Sequence, residues 1–206
     1  MTIHKEGYTS IALCILFIFV SNALIQFYMP QATAFKWVVY ILSFLLFVAV
    51  VYFFRSPSVD VVFDETAILS PADGKIIAIE EVSEPSIVTS PSIKLSIVIA
   101  PLNVHVNRNP IKGTVKQVST DDDGNTSTLV TATNGADILY RQIKGIPYSR
   151  VINYSKQGDS LQQGAEFGFS KLGSRIDIYL PIGTNVDVDI DDVVKGGQTV
   201  LARLKS

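Results

Sequence analysis

Three residues in the later part of the chain are of the types that build a nucleophile, a base and an orienting acid: Ser174, His105 and Asp73. Ser174 follows Gly173 in FGFSKLGSRIDIYLP, where a Gly–Ser pair interrupts an apolar run that otherwise reads as a strand entering a core. A serine hydroxyl relieved of its proton can attack the carbonyl of the residue before it, and glycine at that position leaves room for the strained turn this needs. Taken alone, the pair reads first as a bulge or turn. His105 lies in PLNVHVNRNP and is the only histidine besides His4, so it is the one side chain beyond the N-terminal region whose unperturbed pKa is near neutrality. Around it stand Asn103, Asn107, Arg108 and Asn109, a polar density that is costly to bury without a purpose and that a solvated loop would also explain. Asp73, in SPADGKI, sits beside Gly74 as a turn former would, and an Asp in a turn can also orient an imidazole brought to it by the fold.

The elements that must position these residues read as strands. After Arg55 the chain consists of short β-branched segments separated by Gly, Pro, Asp and Asn, with little helical periodicity. Strands are expected at Lys75–Glu81, Lys94–Ala100, Gly113–Val118, Thr128–Thr133, Asp137–Ile143, Ile176–Leu180 and Thr184–Ile190. The fold class is therefore mainly β: a compact barrel or two-sheet sandwich over residues 56–206, with some short helix. The acidic stretch Asp121–Asp122–Asp123–Gly124–Asn125 lacks the spaced ligands and terminal Glu of a calcium loop and reads as a solvated turn.

Residues 1–55 are different in kind. The chain is 48% hydrophobic overall, and the excess is concentrated here. Ile11–Phe27 and Trp37–Phe54 are uncharged and each approaches the ~20 apolar residues needed to cross a bilayer. Pro30 and polar neighbours lie between them, so a membrane-anchoring helical hairpin is expected. A cleaved signal peptide fits less well, because the first apolar run is too long and a second follows it. Lys5 and Arg55 flank the hairpin and Lys36 lies in its loop, a two-to-one charge vote for a cell-membrane protein whose later domain is cytoplasmic. That domain is mildly acidic and carries no basic stripe, which speaks against nucleic acid as a partner. The single cysteine, Cys14, lies in the first apolar run and offers neither a disulfide framework nor a thiolate metal site. Gly and Asp at strand corners in SPADGKIIAI and KQGDSLQQGAEFGF also suit a non-enzymatic biotinyl- or lipoyl-like β module on a membrane hairpin, serving assembly or export.

SPADGKI, PLNVHVNRNP and FGFSKLGSRIDIYLP, in that order and at these separations, resemble the phosphatidylserine decarboxylases, and in particular their short, archaetidylserine decarboxylase-like form. The resemblance spans about residues 65–206. It implies a proenzyme that cuts itself between Gly173 and Ser174, giving a β chain of residues 1–173 and an α chain of residues 174–206. Ser174 would become a covalent pyruvoyl group, a cofactor made without an external molecule and able to form a Schiff base with the substrate amine. His105 would then serve as general base and Asp73 as the acid that orients it, with no metal involved. The implied partners are a serine-headgroup phospholipid and the membrane that holds it, with Arg108, Arg150 and Arg175 as cationic candidates for the lipid phosphate. The implied reaction converts phosphatidylserine to phosphatidylethanolamine in phospholipid biosynthesis. Association into a homo-oligomer stays open.

Overall fold

The computed structural model describes residues 2–61, 63–83, 87, 90–145, 149–171 and 173–204. It divides into two compact units, Met1–Ser58 and Val59–Ser206.

In the first unit two antiparallel helices follow a short strand β1 (Thr2–Ile3), which pairs with β2 (Arg55–Ser56). Helix α1 (Tyr8–Tyr28) encloses the first apolar run read from the sequence, and helix α2 (Thr33–Phe53) covers the second except its last residue, Phe54. At ~1.5 Å per residue, 21 residues make a helix ~30 Å long, the thickness of a bilayer's hydrocarbon core. Large apolar side chains face outward along both, with Phe19 70% and Phe44 65% exposed, as suits a lipid-facing surface. The loop is closed by Lys36, whose ammonium donates to the Pro30 carbonyl at 2.6 Å.

The second unit is all β, built from β3 (Ala67–Leu69), β4 (Gly74–Ser83), β5 (Pro91–Val98), β6 (Val106–Arg108), β7 (Gly113–Thr120), β8 (Thr126–Ala132), β9 (Asp137–Ile143), β10 (Val151–Asn153), β11 (Ser160–Leu161), β12 (Glu166–Ser170), β13 (Arg175–Pro181), β14 (Asn185–Val186), β15 (Val193–Val194) and β16 (Val200–Arg203). Eight form one antiparallel sheet in the order β11-β7-β8-β9-β13-β5-β4-β15. Register shifts at Ile76/Ala78 and at Val115/Gln117 curl it into a half-barrel. Two small sheets, β10-β12-β6 and β14-β16-β3, complete the unit.

Period-two alternation explains the core. In β13, Ile176, Ile178 and Leu180 point to one face and pack with Leu95, Ile97 and Ile138 from neighbouring strands. The alternate residues Asp177 and Tyr179 are also buried, because Tyr179 joins a second apolar cluster with Leu129 and Leu139 on the opposite face.

The mainly β architecture matches the sequence reading, with two local corrections. Among the described residues the second unit contains no helix, where a short one was expected. The strand expected at Thr184–Ile190 shrinks to Asn185–Val186, since Gly183 (φ 87°) and a Thr184 hydroxyl bonded to the Pro181 carbonyl at 2.7 Å make a turn there. The acidic stretch is the tip of the β7–β8 hairpin. Gly124 takes φ 77°, and Asp121 accepts from the Asn125 amide at 2.8 Å, its side chain at 2.9 Å and Arg141 at 2.6 Å.

Candidate active site

Gly173 and Ser174 lie between β12 and β13, where Gly173 adopts φ 59°, a left-handed conformation that favours glycine. Three backbone bonds hold the flanking chain. Ser170 N donates to the His105 carbonyl at 2.9 Å, Lys171 N to the Arg150 carbonyl at 2.7 Å, and Ile99 N to the Ser174 carbonyl at 2.9 Å. The Gly173 carbonyl packs directly on the Cα of Gly145, in space that a side chain at position 145 would have to occupy. Ser174 is 1% exposed, and its hydroxyl has no hydrogen-bond partner among the described residues. A buried hydroxyl with no local bond differs from the locally bonded serine of an ordinary turn, while the left-handed Gly173 is what a turn would use.

His105 precedes β6 and is fully buried, its ring 6.0 Å from that of Phe169 in an edge-on arrangement. The same face of β6 carries Asn107 and Asn109, both fully buried. These residues meet β9 rung by rung. Tyr140 donates its hydroxyl to Asn109 at 3.1 Å, and the Gln142 amide donates to Asn107 at 2.7 Å. On the far side of β9, Ile178 pairs with Tyr140 and Ile176 with Gln142. In sequence, His105 lies two residues before Asn107 at one side of this ladder, and Ser174 two before Ile176 at the other. Burial pushes the Tyr140 phenol well above its ordinary value, so it stays a neutral donor at the base of this ladder.

Asp73 stands at the corner between β3 and β4. Its carboxylate accepts from the Gly196 amide at 2.8 Å rather than closing its own turn. It is linked to the His105 segment through main chain, because Asn103 donates to the Asp73 carbonyl at 3.2 Å and Arg108 N donates to the Pro71 carbonyl at 2.8 Å. No described hydrogen bond joins the Asp73 carboxylate to His105. Of the three arginines, Arg175 pairs with the buried Asp177 at 3.0 Å. Arg108 is half-buried and donates to the Gly164 carbonyl at 3.1 Å. Its pKa is lowered by burial, against the fields of Glu166 and Asp73. Arg150 is exposed and lines a cleft of about 430 Å³ with Val118, Thr120, Thr126 and Asn153.

Sequence reasoning missed Gly145, which lies two residues beyond the end of β9 in IKGIPYSRV. A glycine at a strand end is a sign of close backbone approach, and here the approach is to the Gly173 carbonyl. It also left the Asn107, Gln142 and Asn153 side chains without a role.

An apolar helical hairpin, and a half-barrel β unit that buries a Ser and a His, point to a class of β-fold enzyme. Comparison with known proteins names it. The phosphatidylserine decarboxylase family model matches residues 46–202. The chain is similar to the phosphatidylserine decarboxylase proenzyme of Cytophaga hutchinsonii, 37% identical with 100% of both chains covered. It is also similar to those of Parabacteroides distasonis, 36% identical over 99% of both, and Amoebophilus asiaticus, 34% identical over 100% of this chain and 98% of the other. No solved structure matches it significantly. The chain belongs to the phosphatidylserine decarboxylase family.

Proposed function

We propose that this chain cuts itself between Gly173 and Ser174 and then decarboxylates phosphatidylserine to phosphatidylethanolamine at a membrane. The observation that carries this reading is the Ser174 hydroxyl, buried and without a partner among the described residues, directly behind a left-handed Gly173. Family membership supports the substrate, and the relatives' designation as proenzymes supports processing.

In the cut, the Ser174 Oγ attacks the Gly173 carbonyl carbon while His105 accepts the hydroxyl proton, and the amide bond is exchanged for an ester. Loss of a proton from Cα and departure of the Gly173 carboxylate from Cβ leave a dehydroalanine at 174. Hydrolysis of that residue releases ammonia and gives a pyruvoyl end. The products are a β chain of residues 1–173 and an α chain of residues 174–206. Once formed, the pyruvoyl group supplies an electron sink for the pair left behind as carbon dioxide departs.

The chain's own residues do the rest. His105 handles the proton in turnover, and Asp73 orients the imidazole from the β3–β4 corner. Arg150, exposed at the mouth of its cleft, meets the lipid phosphate. The hairpin of α1 and α2 spans the membrane and the β unit is cytoplasmic, a placement supported by the length and apolarity of both helices and by the flanking Lys5 and Arg55.

Mass spectrometry of the denatured protein tests the reading. Wild type should release a fragment of residues 174–206 without a free N-terminal amine, and Ser174→Ala should stay one uncut chain. The processed protein should also lose carbon dioxide release from phosphatidylserine on treatment with a carbonyl reagent. An intact wild-type mass after prolonged incubation in lipid would overturn the proposal.

A further inference from the structure

The interior of the barrel holds a chain of carboxamides whose direction is set at one end and left open at the other. Ser155 N donates to Asn153 Oδ1 at 2.8 Å, which turns the Asn153 Nδ2 group inward. That group donates to Thr128 Oγ1 at 2.8 Å and to Gln142 Oε1 at 3.1 Å, so Gln142 must present its own Nε2 to the next residue. Gln142 Nε2 donates to Asn107 Oδ1 at 2.7 Å, and Ser170 Oγ donates to the same oxygen at 2.7 Å. Each amide is oriented by the one before it, and the first is oriented by a backbone N–H that cannot flip. The series ends on Asn107 Nδ2, which is buried and has no acceptor among the described residues. Burying an N–H group without an acceptor is costly, and natural interiors rarely do it without a reason.

The place of this donor suggests the reason. Asn107 shares a strand face with His105, two residues away, and its bonded partner Gln142 pairs across β9 and β13 with Ile176, two residues along the chain from Ser174. Its own oxygen already accepts two bonds, so the group can only donate, and any partner it takes must bring an acceptor.

We infer that Asn107 Nδ2 is the specificity donor for the carboxylate of the serine headgroup; this rests on the function proposed above. The protonated headgroup amine has no lone pair to offer. The phosphate has a cationic candidate in the exposed Arg150. The carboxylate is the acceptor that distinguishes substrate from product. A neutral carboxamide holds it without the strong ground-state stabilisation a buried Arg or Lys would add, which would oppose its departure as carbon dioxide. The product lacks that oxygen, so the donor is again left without a partner and the product is held less tightly.

Calorimetric titration of processed protein with two soluble glycerophosphodiesters isolates the interaction. One carries 3-hydroxypropionate and the other ethanol, so they differ only in the carboxylate and neither has an amine to react. Wild type should bind the carboxylate ligand roughly tenfold to a hundredfold more tightly, the range of a hydrogen bond to a charged group. In Asn107→Ala, read on protein that has released the 174–206 fragment, the ratio should fall to near one, and KM for phosphatidylserine should rise by a similar factor with a smaller change in kcat. Should that variant fail to mature, Asn107→Leu, which keeps the buried volume, carries the same expectation. A wild-type ratio near one, or a variant that keeps the wild-type ratio, overturns the inference and assigns the donor to a buried water. An uncut wild-type chain with no decarboxylation sinks the underlying function and this inference with it, whereas a cut and active chain without carboxylate preference sinks the inference alone.

Discussion

Gly145→Ala is the perturbation that tests most directly whether the geometry around Gly173 is built for a reaction. A methyl group at position 145 would coincide with the Gly173 carbonyl, oxygen and carbon, and would stand 3.3 Å from Ser174 N. A methyl group has no torsion with which to escape, and what it meets is backbone rather than the end of a flexible side chain. The Gly173 carbonyl must therefore retreat by on the order of 1 Å or more, and a misplacement of that size at a reacting centre costs about a hundredfold in rate. That is about 2.7 kcal/mol on the barrier to self-cleavage, on top of about 1–3 kcal/mol of stability for the forced shift. The assay is the time course of the 174–206 fragment by mass spectrometry, with circular dichroism to verify the β fold. Gly135→Ala is the control. Gly135 has φ 85° with nothing within 4 Å of an added methyl group, so that variant is strained but far from overlap and should cut at the wild-type rate. A folded Gly145→Ala protein that matures with the wild-type half-life would show that the Gly173 carbonyl need not sit where it does, and the reasoning from contact to chemistry would fail.

Two further predictions follow from the same residues. His105→Ala should slow self-cleavage, turnover or both by on the order of 10²-fold or more, the usual contribution of a positioned base; separate rates for fragment release and for carbon dioxide release distinguish the two roles, and wild-type values for both would remove His105 from the mechanism. Asp73→Asn should keep the oxygen that accepts from Gly196 N and therefore the fold, while slowing fragment release more than it lowers Tm; unchanged release would leave Asp73 as a corner residue only. A third concerns acid stability. The Asn125 side chain, with help from Arg141, holds the Asp121 carboxyl down at about 2 against an ordinary 3.8. A depressed folded-state pKa contributes stability that is full above the unfolded value and is lost as pH falls through the folded one, so the loss runs from about pH 4 to about pH 2. Asp121→Asn should flatten the dependence of Tm on pH across that window. Asp64, likewise held at about 2 by Thr66 and Arg203, keeps the remaining slope.

The parts of the fold that were legible in the sequence are those where one physical signal acts alone. The two apolar helices declare themselves by length and absence of charge. Asp137–Ile143 was bounded correctly because turn residues stand on both sides of it, Asn134 and Gly135 before and Gly145 after. The strands that sequence missed were short and lacked such contrast. Glu166–Ser170 carries Gly168 in its middle, a residue that normally weakens a strand. In the structure a side chain there would collide with the Ile152 carbonyl of β10 and the Gln142 amide, so the glycine is required by neighbours that the local sequence cannot reveal.

The site divides along a similar line. Residue type and motif single out Ser174 and His105 as candidates, whereas they say nothing of Asn107 and Gly145, and period-two reasoning shows why. In Val104-His105-Val106-Asn107-Arg108-Asn109 the alternation puts His105, Asn107 and Asn109 on one face, and a polar face of a strand ordinarily looks to solvent. Here Val104 and Val106 are 8% and 2% exposed while His105, Asn107 and Asn109 are 0% exposed, so both faces are interior and the polar one is the more deeply buried. Alternation says which side chains share a face; it cannot say which face is inside. That depends on β9 arriving from more than thirty residues away with Tyr140 and Gln142 already aimed at Asn109 and Asn107. An apolar filling of the same space would fold at least as stably, since buried polar groups recover through their bonds only what desolvation takes from them. A barrel interior that fixes the direction of two buried carboxamides, Asn107 and Gln142, through the half-buried Asn153, and leaves the Asn107 Nδ2 donor without an acceptor among the described residues, gives up stability that an apolar filling would keep, which is the trade expected where a ligand is to be held.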